Sequence, residues 1–334
     1  MKKVLLTGIN GFVASHLAEH YLALGSYEVH GTIRWRSNLE NIEHIKDDIT
    51  LHYCDFRDRQ NVDSVIRQKL ADFDIIHCLA GQSFVKASFD APSDTMETNV
   101  LGLINLLESV RAWSPNSTVH ITGSSEAYGI VHPWDCPLNE DHKLKPVSPY
   151  GISKMVQELL GEYYFRSYGI KTVITRAFNH SANRRDERFA ESTFAKQVIE
   201  RKLGLTSEPI KVGNLEAMRD YTHVADMARA YVLAVERCEH GEPYVIASGE
   251  AVSMREVLNK LIELAGIECR IETDPNRIRP SDVPLLIGDY SKFKGKTGWI
   301  PNKSLGIDVI CKDLLEYWTW KLSNRKALEY VNGR

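Results

Sequence analysis

The segment MKKVLLTGINGFVA, residues 1–14, decides the fold class expected for this chain. Its apolar run at residues 4–6 is typical of a short buried strand, and the apolar spacing of residues 13–22 is typical of a helix. Between them, Gly8 would permit a tight turn, and Gly11 would let the backbone approach a pyrophosphate at the positive helix N-terminus. An ordinary glycine-rich turn is the alternative. The position of this G-x-x-G-x-x-A pattern directly after a strand favours a dinucleotide-binding turn.

Length, composition and charge exclude several other classes. The chain has 334 residues, enough for one large or two modest domains, and 43% of them are hydrophobic. A net charge of −3 gives no reason to expect a nucleic acid or an anionic membrane as partner. No apolar run approaches the roughly 20 residues of a membrane span. The six cysteines are scattered and form no metal-binding motif. We therefore expect no metal, no membrane partner and a cytoplasmic location.

Strand-like and helix-like segments alternate through the first half of the chain, which predicts an α/β fold with a doubly wound parallel (Rossmann) sheet. Further strands are expected at 27–33, 49–53, 74–81, 117–122 and 171–176. The alternation fades after residue 176, where we expect a smaller C-terminal substrate-binding domain. The predicted division is 1–176 plus about 218–249 for the dinucleotide domain, and about 177–217 plus 250–322 for the substrate domain.

The residues after the second predicted strand favour NADP as the cofactor. Folds that prefer NAD usually place an acidic residue there to hold the ribose hydroxyls. This chain has Arg34, Arg36 and Ser37 instead, which suit a 2′-phosphate. A solvated basic loop is the alternative, and NAD is less favoured. After the third strand, Asp55 is placed to accept from an adenine amino group, although it could equally cap a helix, a role that suits Asp58 better.

Polar residues at the fifth strand end and in the next helix predict a catalytic group. Ser124 and Glu126 follow a predicted parallel strand, whose carboxyl end should face the ligand crevice. Tyr150 and Lys154 are four residues apart, so on a helix both side chains share one face. A lysine ammonium beside the phenol would stabilise the phenolate, which could then exchange a proton with a carbinol. In the second half of the chain, Arg219 and Arg279 could clamp a diphosphate, with surface ion pairs as the alternative.

These motifs resemble the extended short-chain dehydrogenase/reductase family that acts on nucleotide sugars, and the resemblance covers essentially the whole chain. Within it the chain is similar to the GDP-mannose 4,6-dehydratase branch and to the neighbouring GDP-4-keto-6-deoxymannose reductases. The similarity is carried by QSFVKASF (residues 82–89), by FNH with two arginines shortly after it (residues 178–185), and by RPSDVPLLIGD (residues 279–289).

The resemblance implies NADP, a GDP-sugar and a role for each matched residue. Ser124 would hydrogen-bond the sugar O4, Tyr150 would act as base for O4 with Lys154 as its partner, and Glu126 would remove the C5 proton. The hydride would pass from C4 to NADP, water would leave from C6, and the hydride would return to C6. The expected cofactor-binding residues are Gly8, Asn10, Gly11, Phe12, Val13, Arg34, Arg36, Ser37, Asp55, Phe56, Leu79, Ala80, Gln82, Tyr150, Lys154 and His180. The expected substrate-binding residues are Ser83, Ser124, Glu126, Asn179, Arg184, Lys196, Val212, Arg219, Arg279 and Asp282.

Two departures from the dehydratase pattern keep other activities open. Ser124 stands where the dehydratases usually have threonine, and Thr193 stands where they usually have lysine, while Lys196 is closer to the reductase pattern. The alternatives are an NADPH-dependent GDP-4-keto-6-deoxymannose reductase, or a dehydratase, epimerase or 4-dehydrogenase of another GDP-hexose or GDP-heptose. A non-catalytic nucleotide-binding protein is more remote, because Tyr150 and Lys154 are both present. A homodimer or homotetramer is the expected assembly.

Overall fold

The computed structural model describes residues 1–67, 73–277 and 283–331, with side chains up to residue 324. Within this part of the chain the strands are β1 (Lys2–Leu6), β2 (Tyr27–Ile33), β3 (Thr50–Tyr53), β4 (Ile75–Cys78), β5 (Thr118–Ser124), β6 (Lys171–Ala177), β7 (Asn179–Ser181), β8 (Ile210–Val212), β9 (Met218–His223), β10 (Pro243–Ile246), β11 (Ala251–Ser253), β12 (Ile271–Thr273) and β13 (Leu285–Leu286). The helices are α1 (Phe12–Leu24), α2 (Arg59–Arg67), α3 (Val85–Asp90), α4 (Pro92–Met96), α5 (Gly102–Trp113), α6 (Pro149–Tyr168), α7 (Ala190–Lys202), α8 (Val224–Arg237), α9 (Met254–Ala265), α10 (Ser291–Thr297) and α11 (Ile307–Val331).

A parallel sheet of seven strands in the order β10-β6-β5-β4-β1-β2-β3 forms the centre of the molecule. Each of its strand pairs is parallel. The predicted doubly wound α/β class is therefore confirmed. Strand β5 runs on to Ser124, two residues further than expected, because it stays paired with β6 up to the register Ser124↔Ala177. Strand β4 ends at Cys78, earlier than expected, because the amides of Leu79 and Ala80 bond to the hydroxyl of Thr7 instead of a strand neighbour.

The turn after β1 is built on two glycines with a steric requirement. Gly8 has a φ of 65°, and a Cβ there would lie 3.2 Å from the Cα of Ala80. On the neighbouring strand β2, a Cβ at Gly31 would lie 2.4 Å from Ile9. The turn can therefore lie close to both β4 and β2 only because these two positions lack side chains.

Two apolar layers cover the two faces of the sheet. On one face, helices α1 and α8 pack through Leu17, Tyr21, Met227 and Tyr231. On the other face, helices α2 and α5 pack through Val62, Ile66, Leu103 and Leu107. Burial on both faces explains why residues 4–6 of β1 form a continuous apolar run rather than an alternating pattern.

The second half of the chain builds a separate apolar cluster. Helices α7, α9 and α11 pack together through Val198, Leu258 and Leu314. Strand β9 pairs with β7, β11 and β13, and β8 pairs with β12. Helix α11 continues as far as Val331.

Candidate active site

A cavity of about 1020 Å³ lies at the carboxyl ends of the parallel strands. Its wall includes the turn after β1, the end of β5, the start of α6 and the segment after β6. This is the edge where open α/β sheets bind ligands. The volume is at the upper end of the roughly 300–1,000 Å³ of pockets that hold one small ligand. The cavity therefore has room for a dinucleotide together with part of a second ligand.

The cavity brings together all four predicted catalytic residues and more than half of the predicted binding residues. The predicted residues in its wall are Gly8, Gly11, Phe12, Val13, Leu79, Ser83, Ser124, Glu126, Tyr150, Lys154, Asn179, His180, Lys196 and Arg219. Ten other predicted residues lie in the part of the chain that the structure describes but not in the cavity wall: Asn10, Arg34, Arg36, Ser37, Asp55, Phe56, Ala80, Gln82, Arg184 and Val212. Arg279 and Asp282 lie outside the described residues, so their roles remain predictions.

The predicted catalytic residues meet because β5 and α6 place them at one point. Ser148 caps the start of α6 by accepting from the amide of Gly151 at 3.0 Å, and Pro149 occupies the first helical turn. Tyr150 therefore lies in the first turn of α6, where it shares the cavity wall with Ser124 at the end of β5. One turn further, the Lys154 ammonium lies 5.8 Å from the centre of the Tyr150 ring.

Glu126 lies beside this group because α6 begins against its backbone. It belongs to the short 3₁₀ turn Ser125–Ala127, and its amide donates to the Ser124 Oγ at 3.2 Å. A Cβ at Gly151 would lie 2.7 Å from the Glu126 carbonyl oxygen. Glycine at 151 thus allows the first turn of α6, with Tyr150, to approach the turn that carries the carboxylate.

Burial controls the proton affinities of the tyrosine and the lysine. It raises the pKa of Tyr150 to about 12, although the Ser124 hydrogen bond and the charge of Arg185 oppose the rise. Burial also lowers the pKa of Lys154 to about 8. The ammonium donates to the Thr122 carbonyl at 2.8 Å and to the Gln157 Oε1 at 2.9 Å. In the protein alone, the pKa of Tyr150 is thus raised, whereas a neighbouring lysine was expected to lower it.

The turn after β1 fits a dinucleotide pyrophosphate. The Gly11 amide donates to the Gly8 carbonyl at 2.8 Å, and a Cβ at Gly11 would lie 3.1 Å from that oxygen. The turn leads into α1, whose N-terminal dipole favours an anion. Asn10, which was expected to bind the cofactor, donates instead to the Asn38 carbonyl at 3.0 Å and so ties this turn to the loop after β2.

The loop after β2 also suits NADP, although its side chains lie outside the cavity wall. Arg34 and Arg36 are exposed at the end of β2, and the Ser37 hydroxyl accepts from the Arg34 amide at 3.1 Å. Asp55 forms an ion pair with Arg57 at 2.7 Å, which, together with the charge of Arg34, keeps the pKa of Asp55 below its usual value. Phe56 packs against Gly102 at the start of α5.

Two predicted binding residues use their side chains within the protein. The Gln82 side chain bonds both backbone groups of Phe84, donating to the carbonyl at 3.0 Å and accepting from the amide at 2.5 Å. Arg184 bonds the Ser15 hydroxyl and forms an ion pair with Glu19 at 2.5 Å. Both residues therefore support the loops around the cavity in this structure.

Arg185 lines the cavity, and sequence reasoning missed it. Arg184 has a φ of 65°, so the chain turns and directs the two neighbouring arginines to different sides. The Arg185 guanidinium lies over the rings of Phe189 and Phe12 and forms an ion pair with buried Glu191 at 3.1 Å. The sequence has no signal that separates these two arginines, because the positive φ at the first of them is set by the tertiary structure.

The far end of the cavity carries further basic groups. Lys196 forms an ion pair with Glu187, and Arg219 donates to the carbonyls of Met218 and Val283. Arg277, which the sequence did not single out, also lines this end. Val212 is fully buried in β8, where its carbonyl accepts from the Asp274 amide at 2.8 Å. Guanidinium and ammonium groups of this kind can bind an anionic ligand such as a diphosphate, although Lys196 and Arg277 are paired here with Glu187 and Asp274.

Comparison with known proteins identifies the family. The family model described as GDP-mannose 4,6 dehydratase matches residues 5–313. The chain belongs to this family. A GDP-mannose 4,6-dehydratase of Yersinia enterocolitica is 31% identical, and the match covers 94% of this chain and 93% of that protein. A GDP-6-deoxy-D-mannose reductase of Pseudomonas aeruginosa is 28% identical, and the match covers 90% and 92%.

One of the solved structures that match this chain has the same fold and contains a bound cofactor. The structure of RMD from Pseudomonas aeruginosa, complexed with NADPH, matches with a TM-score of 0.82 and 26% identity over 96% of this chain and all of that one. The chain is accordingly an enzyme of the extended short-chain dehydrogenase/reductase type, and the resemblance seen in the sequence is confirmed.

The described residues contain neither a candidate metal site nor a candidate membrane-spanning helix. Across residues 1–67, 73–277 and 283–331, no three histidine, cysteine or acidic side chains form a group that could bind a metal ion. Over the same ranges, no helix combines the length and the apolar character needed to cross a bilayer.

Proposed function

We propose that this protein is a GDP-mannose 4,6-dehydratase that uses NADP and forms GDP-4-keto-6-deoxymannose. One observation carries the proposal: Glu126 shares the cavity with Ser124, Tyr150 and Lys154 in a chain of the dehydratase family. A simple alcohol dehydrogenase needs the last three groups only. The added carboxylate supplies the base that a dehydration requires at the carbon next to the new ketone.

The cofactor assignment rests on the glycine turn after β1 and on the two arginines after β2. The 2′-phosphate of NADP would lie near Arg34 and Arg36, in a segment (residues 34–38) that contains no acidic residue. A Pseudomonas aeruginosa structure that matches this chain holds NADPH. Bound NADP supplies the hydride acceptor at C4 and the hydride donor at C6.

The chain's own residues move the protons of the reaction. Tyr150 takes the proton of the C4 hydroxyl as that carbon is oxidised; it must do so as the phenolate, so ionisation of its hydroxyl, which burial opposes in the protein alone, precedes this step. Ser124 keeps the oxygen in place by hydrogen bonding. The 4-ketone acidifies the C5–H, because the resulting carbanion is an enolate. Glu126 then takes the C5 proton and passes it to the C6 hydroxyl, which leaves as water. Once C6 is reduced, C5 takes up one proton, which balances the proton taken from the C4 hydroxyl. A well-placed general base of this kind contributes roughly 10²–10⁴-fold to the rate.

The activity is tested by incubating the purified protein with GDP-mannose and a catalytic amount of NADP. We expect many turnovers per NADP and a 4-keto-6-deoxy product by NMR, because the hydride is returned in each cycle. The absence of this product would refute the proposal. A double variant, Arg34→Ala/Arg36→Ala, should lose affinity for NADP by about tenfold or more while its affinity for NAD changes little, since only NADP has the 2′-phosphate.

A second candidate function is an NADPH-dependent GDP-4-keto-6-deoxymannose reductase. It is favoured by Lys196 in the cavity wall, by Thr193 in place of the lysine usual in dehydratases, and by the similarity to the reductase of Pseudomonas aeruginosa. A reductase consumes one NADPH for each ketone reduced. Stoichiometric cofactor consumption with a GDP-4-keto sugar, and no reaction with GDP-mannose, would favour it.

We further propose which domain binds which ligand, the oligomeric state of the protein and its location. Residues 1–176 and about 218–249 would bind NADP, and about 177–217 and 250–322 would bind the GDP-sugar. A homodimer or homotetramer is supported by Ile152, Leu159 and Tyr163, which expose 38%, 51% and 44% of their surface along α6. A cytoplasmic location is supported by six free cysteines. Light scattering after gel filtration tests the assembly.

A further inference from the structure

The lysine of the active site is held by a glutamine one turn along the same helix. Gln157 lies three residues after Lys154 on α6, so the two side chains share a face. Its Oε1 accepts from the Lys154 ammonium at 2.9 Å, and its Nε2 donates to the Asn99 carbonyl at 2.7 Å. Gln157 is 4% exposed and Asn99 is fully buried. The bridge therefore lies in the protein interior, away from bulk water, and hydrogen bonds are stronger there than in water.

An amide side chain is suited to this bridge because of its two different ends. An ammonium has only donors and a backbone carbonyl has only acceptors, so the connecting group needs one of each. These partners also fix which end of the Gln157 amide faces Lys154. Glutamate would direct an oxygen at the Asn99 carbonyl, and methionine would offer neither a comparable acceptor nor a donor. The glutamine is thus matched to both of its neighbours.

The bridge continues into the loop at the rim of the cavity. Asn99 lies in the π-helical turn Glu97–Leu101, and its side chain bonds both backbone groups of Gln82 as well as the Ser153 hydroxyl. A Cβ at Gly81 would lie 2.9 Å from the Asn99 Oδ1. Lys154, through Gln157 and Asn99, is therefore connected to the loop that leads into the cavity-lining residues Ser83 and Phe84.

We propose that Gln157 is a positioning residue for Lys154, which holds the ammonium between β5 and α6 and keeps it charged for its work beside Tyr150. With one N–H on the Thr122 carbonyl and one on Gln157, the third N–H of the ammonium remains for the cavity side. The catalytic use of Lys154 rests on the proposed function, whereas the effect of Gln157 on Lys154 does not.

The electrostatic surroundings of Lys154 make this contribution measurable. The titratable groups that face it are Cys78 on β4, His120 on β5 and Tyr150 on α6. Burial raises the pKa of Cys78 to about 11 and that of Tyr150 to about 12, and lowers that of His120 to about 3, so all three are neutral near pH 7. Burial lowers the pKa of Lys154, and the Thr122 carbonyl and the Gln157 Oε1 are the dipoles that bond its ammonium. Loss of either dipole should therefore lower this pKa further.

The test is a comparison of Gln157→Met with Gln157→Glu. Trace labelling with acetic anhydride at a series of pH values, read by mass spectrometry of the Lys154 peptide, gives the lysine pKa without cofactor or substrate. We expect a pKa about one pH unit lower in Gln157→Met, which loses the acceptor, and about one pH unit higher in Gln157→Glu, which gains a negative charge. Shifts of opposite sign cannot result from a general loosening of the site.

Ser153→Ala provides the matched control, because it removes a partner of Asn99 without touching Lys154. It should lower the melting temperature and leave the labelling pKa unchanged. An unchanged pKa in both Gln157 variants would overturn the proposal. Should Gln157→Met not fold, the comparison of Gln157→Glu with the natural protein decides the matter by itself.

The same variants separate this proposal from the proposed function. If the protein dehydrates GDP-mannose, the alkaline limb of its kcat/KM profile should move down in pH for Gln157→Met and up for Gln157→Glu. The kcat of Gln157→Met should fall about tenfold at pH 8 with little change in KM. The variant would lose the fixed position and the charge of Lys154, and it would lose no contact with the substrate. Absence of dehydratase activity would leave the labelling result intact.

Discussion

Tyr150 and Ser124 lie together in the wall of the cavity, and burial raises the pKa of the tyrosine to about 12. Replacement of Tyr150 by Phe removes the hydroxyl and preserves the ring. We expect turnover to fall by about 10²–10⁴-fold, because the proton of the sugar hydroxyl loses its acceptor. NADP binding by fluorescence titration should change by less than about threefold, since the ring and Lys154 remain. Full activity in this variant would contradict the mechanism.

Glu126 distinguishes a dehydratase from a simple oxidoreductase. In Glu126→Gln the side chain keeps its size and loses its basicity. We expect oxidation at C4 to continue, so that reduced cofactor accumulates in single-turnover absorbance measurements, while dehydration slows by roughly 10²–10⁴-fold. Normal turnover would instead show that the C5 proton is not removed by this residue, and would favour the reductase.

Sequence reasoning at the residue scale located side chains well where helix or strand periodicity fixed them. Tyr150 and Lys154 share a face because they are four residues apart on a helix. It did less well in loops, since a single φ of 65° at Arg184 directs that side chain to Glu19 and leaves Arg185 in the cavity. Nothing in the order of the two arginines indicates that angle.

At the scale of elements, β6 and α6 are connected by a buried ion pair. Arg176 and Glu158 are 5% and 4% exposed and approach to 2.5 Å, and Arg176 also donates to the Tyr128 hydroxyl and the Glu140 carbonyl. These contacts help to fix the helix that carries the tyrosine and the lysine against the sheet.

Removal of one partner of this ion pair should lower the free energy of unfolding more than removal of both partners. We expect Glu158→Gln to lower the free energy of unfolding by about 3–5 kcal/mol, because it leaves the buried guanidinium without its counter-charge. The double variant Arg176→Met/Glu158→Leu should lose less, since no buried charge remains. Urea unfolding measures both, and a double variant less stable than the single one would contradict this account.

The elements themselves were largely predictable, since their signals are local. Asp58 caps α2 by accepting from the Gln60 amide at 2.8 Å, as its position before an apolar helix suggested. The π-helical turn Glu97–Leu101 was not predicted, because it depends on what its residues contact. Asn99, within it, bonds the distant backbone of Gln82.

At the scale of the whole molecule, the neutral histidines beneath and beside the site make stability depend on pH. His77 and His120 lie side by side across β4 and β5, with their Nδ1 atoms 2.8 Å apart, and His180 lies in the cavity wall. Burial lowers the pKa of His120 to about 3, that of His180 to about 4, and that of His77 well below its usual value. All three are therefore neutral in the folded protein at neutral pH.

We expect the protein to lose stability as the pH falls below about 6.5. The unfolded chain takes up protons on these histidines at their ordinary pKa, while the folded chain does not, so acid favours unfolding. Asp220 acts in the opposite direction, because burial raises its pKa to about 6. The net loss should be roughly 1–3 kcal/mol per pH unit between about pH 6 and 4.5. Urea unfolding at several pH values measures this loss of stability. A free energy of unfolding that increases as the pH falls from about 6 to 4.5 would contradict the prediction.

The sequence by itself determined the fold class and predicted the four catalytic residues that share the cavity. Both follow from local patterns: a glycine turn after a strand, alternating apolar segments, and a tyrosine and lysine on one helical face. The tertiary structure decided which arginine enters the cavity, how strongly burial shifts the proton affinities of Tyr150 and Lys154, and that Gln157 connects Lys154 to Asn99. These features depend on contacts between residues far apart in the chain, such as the 58 positions that separate Gln157 from Asn99. Burial and long-range contact have no local signature, so only the folded molecule defines them.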